Sequence, residues 1–201
     1  NELIKEAKSN FWNGIVIPHR EIDEYVTEAD SILVGPGMER SSETAQLVDN
    51  LLQRFGHKRW VIDAGALQMV DPNLLQPQHI ITPHSRELEN LKNKKGWTEL
   101  KEKPLILLKG PIDQIFLSGK KEPLKVEGGN AGLTKGGTGD VLAGLVAALY
   151  CVQSQAAAAV VGSYINKKAG DALYHRVGPY FNASDLVAEV PKVLWQTLKK
   201  I

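Results

Sequence analysis

The chain has 201 residues, 43% of them hydrophobic and 23% charged, with a formal net charge of +1. One domain over residues 1–201, of the ordinary water-facing globular kind, is expected from these values. They exclude a general attraction to nucleic acid or to an anionic membrane, so any anion site has to be local.

The first thirty residues are mixed and charged, with a helix predicted near Glu2 to Lys8. Ser31 to Val34 is a short apolar run ending in Gly35-Pro36-Gly37, the pattern of a buried strand entering a tight loop. Ser41 and Ser42 can cap the helix that follows, whose Leu47, Val48, Leu51, Leu52 and Phe55 have helical spacing. The pattern then repeats. Trp60 to Asp63 and Ile80 to Thr82 read as strands, the second closed by Pro83, and Ser85 is placed as the cap of a helix carrying Leu88 and Leu91. Leu105 to Leu108 reads as a fourth strand ending at Lys109-Gly110-Pro111, and Ile115 to Leu117 as a fifth.

Near-continuous apolar strands alternating with amphipathic helices predict an α/β fold with a mostly parallel central sheet flanked by helices. Ligands of such sheets gather beyond the carboxyl ends of the strands. Gly35-Pro36-Gly37, Asp63-Ala64-Gly65, Thr82-Pro83-His84 and Lys109-Gly110 all follow strand ends, so one common crevice is expected there. After Gly128 the sequence becomes alanine-rich, and Val141 to Leu149 and Ala156 to Leu173 are predicted helices.

The segment from Gly128 to Asp140 runs directly into the first of these helices and ends Gly136-Gly137-Thr138-Gly139-Asp140. Glycines let backbone N–H groups approach an anion closely, and a helix start leaves several of those groups unpaired. Thr138 adds a hydroxyl donor, which completes a phosphate cradle. Asp140 has two readings: a residue of the helix start, or a general base for an attacking hydroxyl, worth typically ~10²–10⁴ in rate. The nucleotide motif G-x-x-x-x-G-K-[ST] is absent, and Gly35-Pro36-Gly37 does not continue as a dinucleotide fingerprint. No cysteine and histidine cluster has metal-site spacing.

The stretch from Gly129 to Leu145 resembles the ribokinase-like superfamily, and more closely the ADP- or ATP-dependent NAD(P)H-hydrate dehydratases related to carbohydrate kinases. Gly35-Pro36-Gly37-Met38, Thr82-Pro83-His84 with Glu87, Lys109 to Asp113, and Asn182 to Leu186 followed by Val190-Pro191 match in the right order. The resemblance implies a ribokinase-like three-layer fold and an enzyme that restores NADH or NADPH from its hydrated form. An adenine nucleotide, with Mg2+, phosphorylates the ring hydroxyl; phosphate then leaves. By the same resemblance Asp140 contacts or deprotonates that hydroxyl, and Gly37 and His84 line the hydrated dinucleotide site. Lys109, Gly110, Pro111, Ile112 and Asp113 line the nucleotide site, Gly136, Gly137, Thr138 and Gly139 support its phosphates, and Glu87 helps hold magnesium. Two other readings keep the cradle: a kinase of a sugar, hydroxymethylpyrimidine or thiazole alcohol, and a nucleotide-binding homologue of weak activity.

The sequence departs from the family pattern at Gly65, where an aspartate is usual, and at Arg86, where a glycine is usual. Asn1 to Asp30 do not resemble the family's glycine-rich beginning, and a truncated or fragmentary N-terminus is the expectation. No stretch is long and apolar enough to span a bilayer, and no signal peptide opens the chain. Together with the single cysteine, Cys151, placed as a packed core thiol, this gives a cytoplasmic protein. A homo-oligomer is expected from the apolar helices, and the acceptor triplet at Asn182 is taken as chance.

Overall fold

The computed structural model describes residues 2–199. After α1 (Glu2–Asn10) and α2 (Ile22–Glu28), strands and helices alternate through β1 (Ile32–Val34), α3 (Ser42–Phe55), β2 (Trp60–Ile62), α4 (Ala64–Met69), β3 (Ile80–Ile81) and α5 (Ser85–Lys92). A hairpin series follows, β4 (Leu105–Leu108), β5 (Asp113–Phe116) and β6 (Leu124–Val126). Three helices close the chain: α6 (Thr138–Tyr150), α7 (Gln155–Val177) and α8 (Ala183–Leu198).

The six strands form one sheet in sequence order. β1 to β4 are parallel, whereas β5 pairs antiparallel with both β4 and β6. β6 escapes sequence reading because two of its three residues, Leu124 and Lys125, are exposed.

Alternate strand residues face opposite sides. Ile62, Ile81 and Ile106 pack with Val48, Leu51 and Leu52 of α3, Leu67 of α4 and Leu88 of α5. Their neighbours Val61, Ile80, Leu105 and Leu107 pack with Leu142, Ala143 and Val146 of α6 and Ala158 and Ala159 of α7. Helices on both faces give three layers, with α8 packed outside on α7 through Phe181, Leu186 and Val193. This is the ribokinase-like α/β arrangement. No helix among the described residues is long and apolar enough to cross a membrane.

Small residues set how close α6 and α7 come. A Cβ at Gly162 would lie 2.7 Å from Val146 Cγ2, so the glycine lets the helices meet. Cys151 is half-buried at the end of α6, its Sγ directed to Ala147 O at 3.5 Å, and is not part of the core. The cap of α5 is also shifted by one residue. His84, not Ser85, is the N-cap, because its ring Nδ1 accepts from Glu87 N while Glu87 returns a carboxylate to His84 N.

His79 is fully buried between β3 and the end of α3. Its Nδ1 accepts from Gln76 N at 3.2 Å, and Nε2 faces Gly56 O at 2.8 Å, so Nε2 carries the proton of a neutral ring. Burial pushes this imidazole down from 6.5 to about 4. Between those pH values the unfolded chain binds a proton that the folded chain refuses. Stability is therefore fully present above the unfolded value and falls as pH drops toward the folded one, by about 3 kcal/mol in total. Urea unfolding of His79→Gln and the parent from pH 7 to 4 should show a smaller loss in the variant. Parallel losses would exclude His79 as the source.

Candidate active site

The parallel strands deliver their carboxyl-end loops to one edge of the sheet. Gly35 turns the chain after β1 at φ +121°, and a Cβ there would fall 1.7 Å from Asp63 O, so only glycine lets the two loops touch. Gly37, at φ +74° and exposed, completes the turn, with Met38 N donating to Gly35 O. His84 and Lys109 extend the β3–β4 pairing by one isolated parallel bridge. Lys109 Nζ then reaches Asp63 Oδ1 at 2.8 Å. Asp63 is 1% exposed, and this ion pair ties the end of β2 to the end of β4.

Opposite them stands the start of α6. Gly137 is its N-cap at φ +87°, with no side-chain cap. The N–H groups of Gly139 and Asp140 have no carbonyl four residues back within the helix, and they carry the positive end of its dipole. Gly139 lies beside Lys109: a Cβ built there would be 3.5 Å from Lys109 Nζ. A cation and a helix N-terminus therefore converge on the same point, the arrangement that holds phosphate.

A cavity of about 670 Å³ opens between them, a volume suited to a small organic ligand. His84, Lys109, Gly110, Pro111, Asp113, Thr138 and Gly139 line it. Gly37, Glu87, Ile112, Gly136, Gly137 and Asp140 are not among the lining residues. Asp140 is exposed in the first turn of α6, and its carboxylate makes no hydrogen bond or ion pair among the described residues. It is not spent on capping.

Three side chains do something other than the sequence suggested. The Thr138 hydroxyl donates to Leu133 O at 2.6 Å and Lys135 O at 2.7 Å, so its single proton serves the loop instead of a phosphate. Glu87 is 8% exposed; its Oε2 accepts from His84 N and its Oε1 from Gln68 Nε2, both at 2.9 Å. Glu87 is engaged by the α5 capping box and by Gln68, and no group of three or more acidic, histidine or cysteine side chains among the described residues could hold a metal ion. Asp113 is 4% exposed, with Oδ1 accepting from Gly110 N at 2.9 Å and Oδ2 from Ser163 Oγ at 2.7 Å. It shapes the loop after β4 from beneath.

Sequence reasoning singled out the Gly128 to Asp140 segment but missed the wall that α7 builds beside it. Asn166 lines the cavity, 5% exposed, with its carboxamide oxygen unpaired. Lys167, 4% exposed, also lines it. The available signal was a set of polar residues, Ser163, Asn166, Lys167 and Asp171, inside an otherwise alanine-rich helix.

A profile of the NAD(P)H-hydrate dehydratase family matches residues 4–192. The chain belongs to that family. It is 37% identical over 180 residues to a bifunctional NAD(P)H-hydrate repair enzyme of Methanocaldococcus jannaschii, covering 85% of this chain and 34% of that protein. To an ADP-dependent (S)-NAD(P)H-hydrate dehydratase of Xanthomonas campestris it is 32% identical, over 96% of this chain and 71% of the relative. The ADP/ATP-dependent NAD(P)H-hydrate dehydratase of Bacillus subtilis, co-crystallised with ATP and Mg2+, superposes with a TM-score of 0.64 at 25% identity. That match covers 86% of this chain and 70% of the other. The chain thus spans about a third of the length of the bifunctional relatives.

The strand-end Lys109 is anchored by a buried carboxylate. Lys109→Met should strand Asp63 and lower stability by about 3 kcal/mol. Adding Asp63→Asn should return much of that loss, as read by urea unfolding. No difference between the single and double variants would refute the pairing.

Proposed function

We propose that this protein performs the nucleotide-dependent dehydration of hydrated NADH or NADPH. The observation that carries the reading is the free Asp140 carboxylate beside a cavity where Lys109 and the α6 N-terminus converge. Membership of the dehydratase family supplies the substrate class.

In this reading ADP or ATP occupies the cavity, its phosphates directed to the N–H groups of Gly139 and Asp140 and to Lys109. Gly136 and Gly137 supply the turn that exposes those groups, and Gly110 and Pro111 form the adjoining wall. The unpaired Asn166 oxygen is available to an amino group of the base. Hydrated dinucleotide lies on the other side, against Gly37 and His84, with its ring hydroxyl at Asp140.

Asp140 takes the hydroxyl proton as the oxygen attacks the terminal phosphorus, whose bond to the nucleotide breaks. The phosphate ester then leaves with the C–O electron pair, a proton is lost from the neighbouring ring carbon, and the ring double bond returns. Phosphoryl transfer is mostly positioning and charge stabilisation, which the fixed lysine and helix start provide. Magnesium belongs to the proposal as the nucleotide's own counterion, with no side chain assigned to it. A cytoplasmic homo-oligomer is part of the same reading, the exposed Tyr164 and Tyr174 of α7 and Trp195 of α8 offering surface for association.

The test is recovery of NADH absorbance from hydrated NADH with ADP or ATP and magnesium. Asp140→Asn should lower kcat by ~10²–10⁴ while ADP still binds. Absence of recovery with the parent protein would sink the dehydratase reading; a fully active Asp140→Asn would sink the role given to that residue.

A further inference from the structure

Helix α7 carries a polar row on an alanine-rich background. Ser163, Lys167 and Asp171 are spaced four residues apart and so share a face. Ser163 engages the first residue of β5, and the other two engage loops. Ser163 Oγ donates to Asp113 Oδ2 at 2.7 Å, and Asp171 accepts from Gly129 N and Asn130 Nδ2, each at 3.2 Å. Lys167 stands between them. Its Nζ donates to Gly110 O and Pro111 O at 3.1 Å and to Gly128 O at 3.2 Å, with Asp113 Oδ1 3.4 Å away.

An ammonium has three protons to donate and accepts none. Three carbonyls use all three, so Lys167 has no proton left for a phosphate although it lines the cavity. Lys109 differs, with one hydrogen bond, to Asp63, and two protons to spare. What Lys167 joins is also particular. Gly110 and Pro111 follow β4, whereas Gly128 follows β6, so one buried ammonium spans two walls separated by a hairpin. Its stem reinforces the contact: a Cβ at Gly129 would lie 3.2 Å from Lys167 Cγ. The Pro111 and Gly128 carbonyls turned toward the ammonium also fix the planes of their peptides, and with them the directions of the Ile112 and Gly129 N–H groups.

We propose that Lys167 is a positioning residue for the nucleotide, holding the loop after β4 and the loop after β6 at the separation that a nucleoside phosphate fills. The proposal rests on the nucleotide reading above. Lys167 acts through the backbone of Gly110, Pro111 and Gly128 and does not itself touch the ligand.

The experiment compares ADP binding by calorimetry, with magnesium present, in the parent, Lys167→Met and the double variant Lys167→Met/Asp113→Asn. Methionine keeps the stem volume and removes the three donors; the double variant also removes the carboxylate that would otherwise be buried without its cation. Both should bind ADP at least about tenfold more weakly, because ligand binding then has to order the two loops that Lys167 holds in place. The KM for nucleotide should rise in parallel, with kcat changed less than about threefold. If Lys167→Met does not fold, the double variant carries the comparison. Val48→Ala, buried on the opposite face of the sheet, is the control for general destabilisation and should keep the parent's Kd.

Parent-like ADP affinity in either folded lysine variant overturns the proposal, as does an equal loss in Val48→Ala. A parent protein that binds no ADP overturns the nucleotide reading and this inference with it. A parent that binds ADP but restores no NADH ends the dehydratase reading alone, and the Kd comparison still decides Lys167.

Discussion

A carboxylate taken out of water has to meet a cation or several donors, and two such carboxylates organise this molecule. Asp63 and Asp113 are 1% and 4% exposed, at the end of β2 and the beginning of β5. The first holds Lys109 and the second faces Lys167. Neither pair is good evidence for net stability, because desolvation offsets much of the attraction. What they provide is direction. Through Asp63 the loops after β2 and β4 are joined; through Asp113 the loop after β4 is set against α7. The cavity is the space left between these two constraints.

The surrounding backbone is shaped by the same demand for close approach. Gly35 meets the Asp63 carbonyl, and a Cβ at Gly65 would fall 2.1 Å from Met38 O, so the loops after β1 and β2 interlock through their glycines. Ala64, at φ +44°, is the one non-glycine residue with positive φ among the described residues. It lies directly after the buried carboxylate, where the chain must turn at once from β2 into α4. Gly65 thus has a packing reason of its own in this chain: a longer side chain would meet the Met38 backbone.

The fold was legible in the sequence to the extent that burial repeats. Val61-Ile62 and Ile80-Ile81 are buried on both faces and read as strands without ambiguity, and the glycine-rich run before α6 announces a helix start. β6 was not legible because an edge strand with exposed Leu124 and Lys125 has no apolar pattern. Of the candidate site, the structure brings together Gly139 and Lys109, both of which stand next to glycine-rich turns that the sequence makes plain. The site was misread where one side chain satisfies another. A sequence does not say that the Thr138 proton goes to Leu133 and Lys135, or that both Glu87 oxygens go to the cap and Gln68. It also hides Lys167, which by type belongs on a surface and by contact belongs inside.

Counting spare donors and acceptors separates the groups that hold the site from those left to act. Lys135 donates to Pro179 O and Phe181 O and lies over the Phe181 ring, so it is engaged away from the cavity it borders. Lys167 is saturated by carbonyls, and Asp171 is engaged by Gly129 and Asn130. Glu87 and Asp113 are likewise committed. Among the charged groups at the cavity and at the α6 start, Lys109 keeps two unused protons and Asp140 an unpaired carboxylate. They bracket Gly139, one from the sheet and one from the helix. The pair differs in mobility as well: Lys109 is fixed by Asp63, whereas Asp140 is exposed. A fixed cation suits a phosphate whose place must not vary. A solvated, unengaged carboxylate suits a proton acceptor that meets its partner only when substrate arrives. In the proposed reading, the cradle that begins at Gly136 is completed by a lysine from the sheet, while the threonine within it serves the loop.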